Sequence, residues 1–195
     1  MNENIWDNDE LVKVLQNGGV AVMPTDTIYG MVGRAGDEAT VNRIYEVRKR
    51  APEKPCIILI GDQAELKNFS ITLSEIQKEK LKEFWSFNKT QDETGAVSIV
   101  LDCENIALTY LHRGTNMLAF RMPASQSLRE LLKKTGPLIA PSANTEKFPQ
   151  SETVEDAKNY FGDAVDLYVD GGPVVAQASK VIRLHPDGSV DVLRA

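Results

Sequence analysis

The chain is poor in the residues from which many functional sites are built, with two cysteines and two histidines among 195 residues. Cys56 and Cys103 are too few for a disulfide framework and form no closely spaced pair. Each reads as a small buried apolar residue. With only His112 and His185 to add, no structural zinc site is expected. Long apolar runs are missing too: none approaches the roughly 18 to 20 residues that span a bilayer. The opening Met1-Asn2-Glu3-Asn4-Ile5-Trp6-Asp7 lacks the basic and apolar regions of a signal peptide. The expectation is a cytoplasmic protein with no membrane partner. Positive charge is not in excess either. The 22 Lys and Arg against 28 Asp and Glu leave a formal net charge of −6, which argues against a protein held to nucleic acid by overall charge, while a local basic patch stays open. A Walker-type Gly-Lys-Ser/Thr loop and a Gly-x-Ser-x-Gly elbow are both absent.

What is present is ordinary for a globular protein, 42% hydrophobic and 26% charged. The apolar spacing predicts helices over 8–17, from Asp37 to the basic run Arg48-Lys49-Arg50, and over 62–68, 72–87, 124–135 and 153–161. Extended runs are predicted at 20–23, 57–60, 96–101, 117–122, 138–140, 166–170, 180–184 and 190–193, with a polar surface loop over 86–95. Helices and strands interleave without a repeat or a long linker. The fold class is therefore α/β, a mixed sheet with flanking helices in a single domain over 1–195.

Three polar constellations lie where predicted elements end. Pro24-Thr25-Asp26-Thr27-Ile28-Tyr29-Gly30 suits a polar ligand or a cation, or it is a turn whose Thr and Asp side chains satisfy local amides. Gly30 and Gly33 permit close backbone approach. Between residues 43 and 54, five basic groups face only Glu46 and Glu53, a local inversion that fits phosphate oxygens or else a solvated helix end. Ala140-Pro141-Ser142-Ala143-Asn144 is a small-residue turn that presents a hydroxyl and an amide, or a capped turn. Arg121, within the apolar run Leu118-Ala119-Phe120-Arg121-Met122-Pro123, calls for a partner; an internal salt bridge and a ligand carboxylate serve equally.

Taken in order, these segments, with Lys54-Pro55, Asp170-Gly171-Gly172, Ser179 and Arg194, resemble the YrdC-like family of threonylcarbamoyl-AMP synthases over most of the chain. The resemblance implies a twisted YrdC/RibB-like α/β fold around a basic cavity. It also implies formation of threonylcarbamoyl-AMP and pyrophosphate from L-threonine, bicarbonate and ATP, for threonylcarbamoylation of adenosine 37 in tRNA. Carried over by motif, Thr27, Arg121 and Ser179 hold threonine; Arg50, Lys54, Ser142, Asn144 and Arg194 line the nucleotide side; Arg48, Arg50 and Lys54 neutralise charge during transfer. ATP is a substrate, with Mg²⁺ on its polyphosphate; no residue presents itself as a metal cage or general base. The downstream partner is a tRNA threonylcarbamoyltransferase complex, with RNA as a further candidate partner.

Four positions depart from the family pattern. Arg48 replaces the first lysine of a Lys-x-Arg motif, and Leu59 replaces a histidine near the threonine pocket. Met117 replaces a small polar residue, and Phe84-Trp85-Ser86-Phe87 stands where a Trp-Pro-Gly-Pro signature is common. Two alternatives follow: a non-catalytic RNA- or nucleotide-binding protein, or a carbamoyl-adenylating relative with another acceptor. The short chain resembles the single-domain type.

Overall fold

The computed structural model describes residues 3–86 and 96–195, so most of the polar loop predicted over 86–95 lies outside the described residues. The strands are β1 (Ala21–Pro24), β2 (Tyr29–Arg34), β3 (Ile57–Leu59), β4 (Val97–Asp102), β5 (Met117–Arg121), β6 (Leu138–Ile139), β7 (Leu167–Tyr168), β8 (Lys180–Leu184) and β9 (Val190–Arg194). The helices are α1 (Asp9–Gln16), α2 (Glu38–Arg48), α3 (Glu75–Phe84), the single turn α4 (Thr109–His112), α5 (Gln126–Thr135) and α6 (Val154–Phe161). Side-chain caps set the longer helix starts. Asn8, Asp37, Ser74, Ser125 and Thr153 each accept a first-turn backbone N–H.

The strands join one mixed sheet in the order β7-β1-β2-β6-β3-β5-β4-β8-β9. β3 runs parallel to β5, with Leu59 opposite Arg121, whereas β1–β2, β2–β6, β3–β6, β4–β5 and β8–β9 are antiparallel. Strand alternation divides the side chains between two faces. Ile58, Phe120, Ile99, Leu101 and Ile182 pack on one face with Val41 and Ile44 of α2, Leu81 of α3 and Phe161 of α6. On the other face Ala21, Met23, Val32, Leu59 and Leu138 pack beneath Leu11 and Leu15 of α1 and Leu128, Leu131 and Leu132 of α5. Burial of each such leucine contributes about 1.5–3 kcal/mol. Toward β5, β4, β8 and β9 this second face changes character: Ile57, Ala119, Val100 and Val181 line a cavity instead of meeting a helix.

Three expectations need correction. Tyr29 and Gly30, read as the end of a polar loop, open the paired strand β2, which the expected strands did not include; its glycines masked the strand pattern, and Gly33 is needed because α2 crosses there. A Cβ at Gly33 would lie 2.4 Å from Thr40 Cγ2 and 2.9 Å from Ile44 Cδ1, so its close approach serves helix packing. The segment expected to be helical at 62–68 is a 3₁₀ helix, Gln63–Phe69, opened by a capping box between Asp62 and Glu65. The extended runs at 138–140 and 166–170 shorten to two residues each. Cys56 and Cys103 are both free and buried, matching their sequence context.

Gly33→Ala is expected to destabilise the fold by about 1–3 kcal/mol through overpacking, measured by urea denaturation. Adding Thr40→Ser, which removes Cγ2 while keeping the hydroxyl bonded to Gly18 O and Asp37 Oδ2, recovers part of that loss.

Candidate active site

The cavity on the uncovered face has a volume of about 590 Å³. Its floor is apolar sheet, and its rim carries the polar groups that the sequence scatters over 170 residues. Thr27, Arg50, Arg121, Ser142, Asn144, Ser179 and Arg194 all line it. Among the described residues, no Asp, Glu or His lines it. An acidic chain thus encloses a pocket with three guanidinium groups.

At one end, the turn after β1 is locked by Thr25. Its hydroxyl donates to Ile28 O at 2.8 Å, lies 3.1 Å from Thr27 Oγ1, and accepts the Thr27 and Ile28 N–H groups at 3.3 and 3.4 Å. This is the local amide satisfaction expected of a turn, and it directs Asp26 inward. Asp26 Oδ1 lies 3.0 Å from Arg121 Nη2, with only 4% and 5% of the two side chains exposed. Arg121 also donates to Thr25 Oγ1 at 3.4 Å, and its buried Nε has no partner among the described residues. The internal salt bridge is therefore present, and Arg121 still faces the cavity.

Arg194, on β9, reaches across to Ser179. Its Nε and Nη2 donate to Ser179 O at 3.1 and 2.7 Å. The Ser179 hydroxyl shares a 2.8 Å hydrogen bond with Ser98. Burial, and then the charge of Arg121, lower the pKa of Arg194, so these two cations gain from an anion placed between them. The preceding Asp170-Gly171-Gly172 loop is tied to β2, because Tyr29 OH donates to Gly172 O at 2.9 Å and accepts the Gly171 N–H at 3.0 Å.

The basic cluster of residues 43–54 does not act as one patch. Arg43 points away to Asp166 at 2.5 Å. Arg50 enters the cavity, its Nε and Nη2 bound to Lys54 O and Pro55 O at 3.1 and 2.8 Å. Arg48 does not line the cavity. Only 2% exposed, it sits behind the Pro141–Asn144 turn, and its Nη2 donates to Ser142 Oγ at 3.2 Å and Asn144 Oδ1 at 3.4 Å. Burial, reinforced by Arg50, brings its pKa down to about 10, leaving it charged at neutral pH. Lys54 is also outside the lining, with its ammonium 2.5 Å from Glu146 Oε1.

Glu146 escapes sequence reasoning, because 92 residues separate it from Lys54. Phe148, Gln150 and Thr115 also line the cavity and carry no sequence signal. Asn144 stabilises its own turn by donating to Thr145 O and Phe148 O at 2.9 and 2.8 Å. Of the positions that depart from the family pattern, Met117 lines the cavity, whereas Leu59 is fully buried beneath α1 and α5 and Trp85 packs in the core of the opposite face.

Comparison with known proteins places this geometry. The model of the Sua5/YciO/YrdC family, described as telomere recombination, matches residues 13–195. A putative threonylcarbamoyl-AMP synthase of Mycobacterium leprae is 32% identical over 187 residues, covering 94% of this chain and 80% of that one. The threonylcarbamoyl-AMP synthase of Bacillus subtilis is 30% identical over 162 residues, 82% of this chain and 44% of that one. Among solved structures, Pyrococcus abyssi Sua5 complexed with L-threonine superposes with a TM-score of 0.79 at 26% identity, covering 92% of this chain and 51% of that chain. This chain therefore spans about half the length of the Sua5 protein and four-fifths of the mycobacterial one. With the family model matching nearly the whole chain and a shared sheet carrying the cavity, this chain belongs to the Sua5/YciO/YrdC family.

Proposed function

We propose that this chain is an L-threonylcarbamoyladenylate synthase, a nucleotidyltransferase that joins L-threonine, bicarbonate and ATP into threonylcarbamoyl-AMP with release of pyrophosphate. The observation that carries this reading is the convergence of Thr27, Arg121 and Ser179 with Arg50, Ser142, Asn144 and Arg194 in one cavity. The threonylcarbamoyl-AMP synthase names of the M. leprae and B. subtilis relatives agree with it, as does the threonine-bound Sua5 structure.

In this reading Arg121 receives the threonine carboxylate, and Asp26 holds the guanidinium so that its planar donors face the ligand. The unprotonated threonine amine forms a C–N bond to the bicarbonate carbon as a C–O bond breaks, giving a carbamate and releasing the oxygen with the amine proton as water. A carbamate oxygen then attacks the α-phosphorus of ATP, forming a new P–O bond as the bond to pyrophosphate breaks. The described lining offers guanidinium, hydroxyl and amide groups, and with these the chain contributes alignment and charge stabilisation. Arg50 and Arg194 supply charge from the wall, and Arg48 acts through Ser142 and Asn144 as a positioning residue. Mg²⁺ brought by the nucleotide would supply further charge neutralisation at the polyphosphate, beside Arg50 on the wall. The product passes to a transferase that modifies tRNA.

Threonine-dependent pyrophosphate release from labelled ATP and bicarbonate tests the reading; folded protein with Mg²⁺ and no such release overturns it. Salt-sensitive RNA binding without ATP turnover would favour the RNA-binding alternative instead. Arg50→Ala is expected to lower kcat/KM for ATP by roughly 100-fold while leaving the Kd for threonine nearly unchanged, measured by steady-state kinetics and calorimetry. Arg121→Gln should abolish measurable threonine binding and cost about 3–5 kcal/mol of stability, because Asp26 is left buried and unpaired. The double variant with Asp26→Asn should regain much of that stability without regaining threonine binding, as read by denaturation and calorimetry.

A further inference from the structure

Lys54 and the backbone N–H of Ala51 form an anion site that is already filled from within the chain. Glu146 presents one carboxylate oxygen to each: Oε1 lies 2.5 Å from Lys54 Nζ, and Oε2 accepts the Ala51 N–H. An ammonium and a free backbone N–H beside Arg50 are the donors that hold phosphate oxygens. Two oxygens of one carboxylate now occupy them.

The carboxylate is delivered by a rigid turn. Glu146 N–H donates to Arg48 O at 3.0 Å, Phe148 N–H donates to Thr145 O at 3.1 Å, and Asn144 Nδ2 closes the turn from inside. Lys147 follows in the left-handed region at φ 74°. Lys54, Ala51 and the charge of Arg50 hold the Glu146 carboxyl down to about 2, so it is fully ionised at neutral pH. The Lys54 side chain is 55% exposed and that of Glu146 15%, so the ammonium is the end of the pair with room to swing toward solvent.

We propose that Glu146 is a resident anion on Lys54 and the Ala51 N–H, donors that stand beside the cavity-lining Arg50, and that an incoming polyphosphate must displace it from them. This rests on the reading of residues 50–54 as the phosphate side of the cavity. Glu146 thereby sets the affinity for polyphosphate. It prevents the cluster from retaining any passing anion, and it returns to Lys54 as pyrophosphate leaves.

The test uses inorganic tripolyphosphate as probe, with Kd measured by calorimetry at low ionic strength. Glu146→Gln keeps an amide oxygen for the Ala51 N–H and removes the charge; it should tighten tripolyphosphate binding roughly three- to tenfold. Adding Lys54→Met should erase that gain. Equal or weaker binding by the Glu146→Gln variant overturns the proposal and makes Glu146 a strut between the two loops. If that variant does not fold, the unsubstituted protein with ¹³C-methylated lysines decides by NMR. The Lys54 signal, assigned with Lys54→Arg, should shift on adding tripolyphosphate, and an unmoved signal overturns the proposal. Threonine-dependent ATP turnover, run in parallel, separates the two readings: its absence removes the synthase assignment, while the tripolyphosphate result still decides the role of Glu146.

Discussion

Guanidinium groups in a concave, half-dry site must be oriented without being neutralised, and the wall of this cavity is organised around that requirement. A carboxylate partner fixes a guanidinium but cancels its charge, whereas a backbone carbonyl fixes it and leaves the charge in place. Arg50 is held by the carbonyls of Lys54 and Pro55, and Arg194 by that of Ser179. Arg48 is held by a hydroxyl and an amide oxygen. Only Arg121, the most deeply enclosed of the three lining arginines, has a carboxylate, and that carboxylate is itself buried. The cavity keeps a positive potential inside a chain whose net charge is −6.

The sheet supplies the rigid frame for this arrangement. α1 and α5 cover the second face only over β1, β2, β6 and the end of β3, where Leu59 and Leu138 are buried with Met23 and Val32. Beyond that line, Ala119, Val100 and Val181 are small or medium apolar residues, and they make the floor of the cavity. Arg121 stands at the boundary: it ends β5 opposite Leu59 and closes the cavity against the covered half. A displacement of α5 would therefore reach Arg121 at this end of the cavity through Leu59.

The loops that form the rim are fastened both to the sheet, through Met31 N–H to Pro141 O and Ala143 N–H to Tyr29 O, and to one another. Arg48 at the end of α2 carries the Ser142 and Asn144 turn, and its carbonyl accepts the Glu146 N–H. Glu146 in turn grips the loop that follows Arg48. These reciprocal contacts tie the turn at 141–146 and the loop at 49–55 into one unit in which Lys54 and Glu146 face each other, so the positive charge of residues 43–54 is partly answered from within the chain. The other basic groups of that run are directed elsewhere, Arg43 to Asp166 at the far side of α2.

Much of the architecture was legible in the sequence, because strand and helix periodicities follow from local spacing: the capped helix after Asp37, the apolar runs at 57–60 and 96–101 and the helix over 124–135 are read directly. β2 was not, since Tyr29-Gly30-Met31-Val32-Gly33 has glycine where a strand pattern expects a side chain, and the reason for Gly33 lies in α2 packing over it. The ordered motifs also determined which residue types reach the cavity, Thr27, Arg50, Arg121, Ser142, Asn144, Ser179 and Arg194. Tertiary structure alone decided where each charge points. It placed Arg48 behind the wall, paired Arg121 with Asp26, and set Glu146 against Lys54, because ion pairs between residues some 90 positions apart depend on how strands are ordered in the sheet and leave no local pattern along the chain.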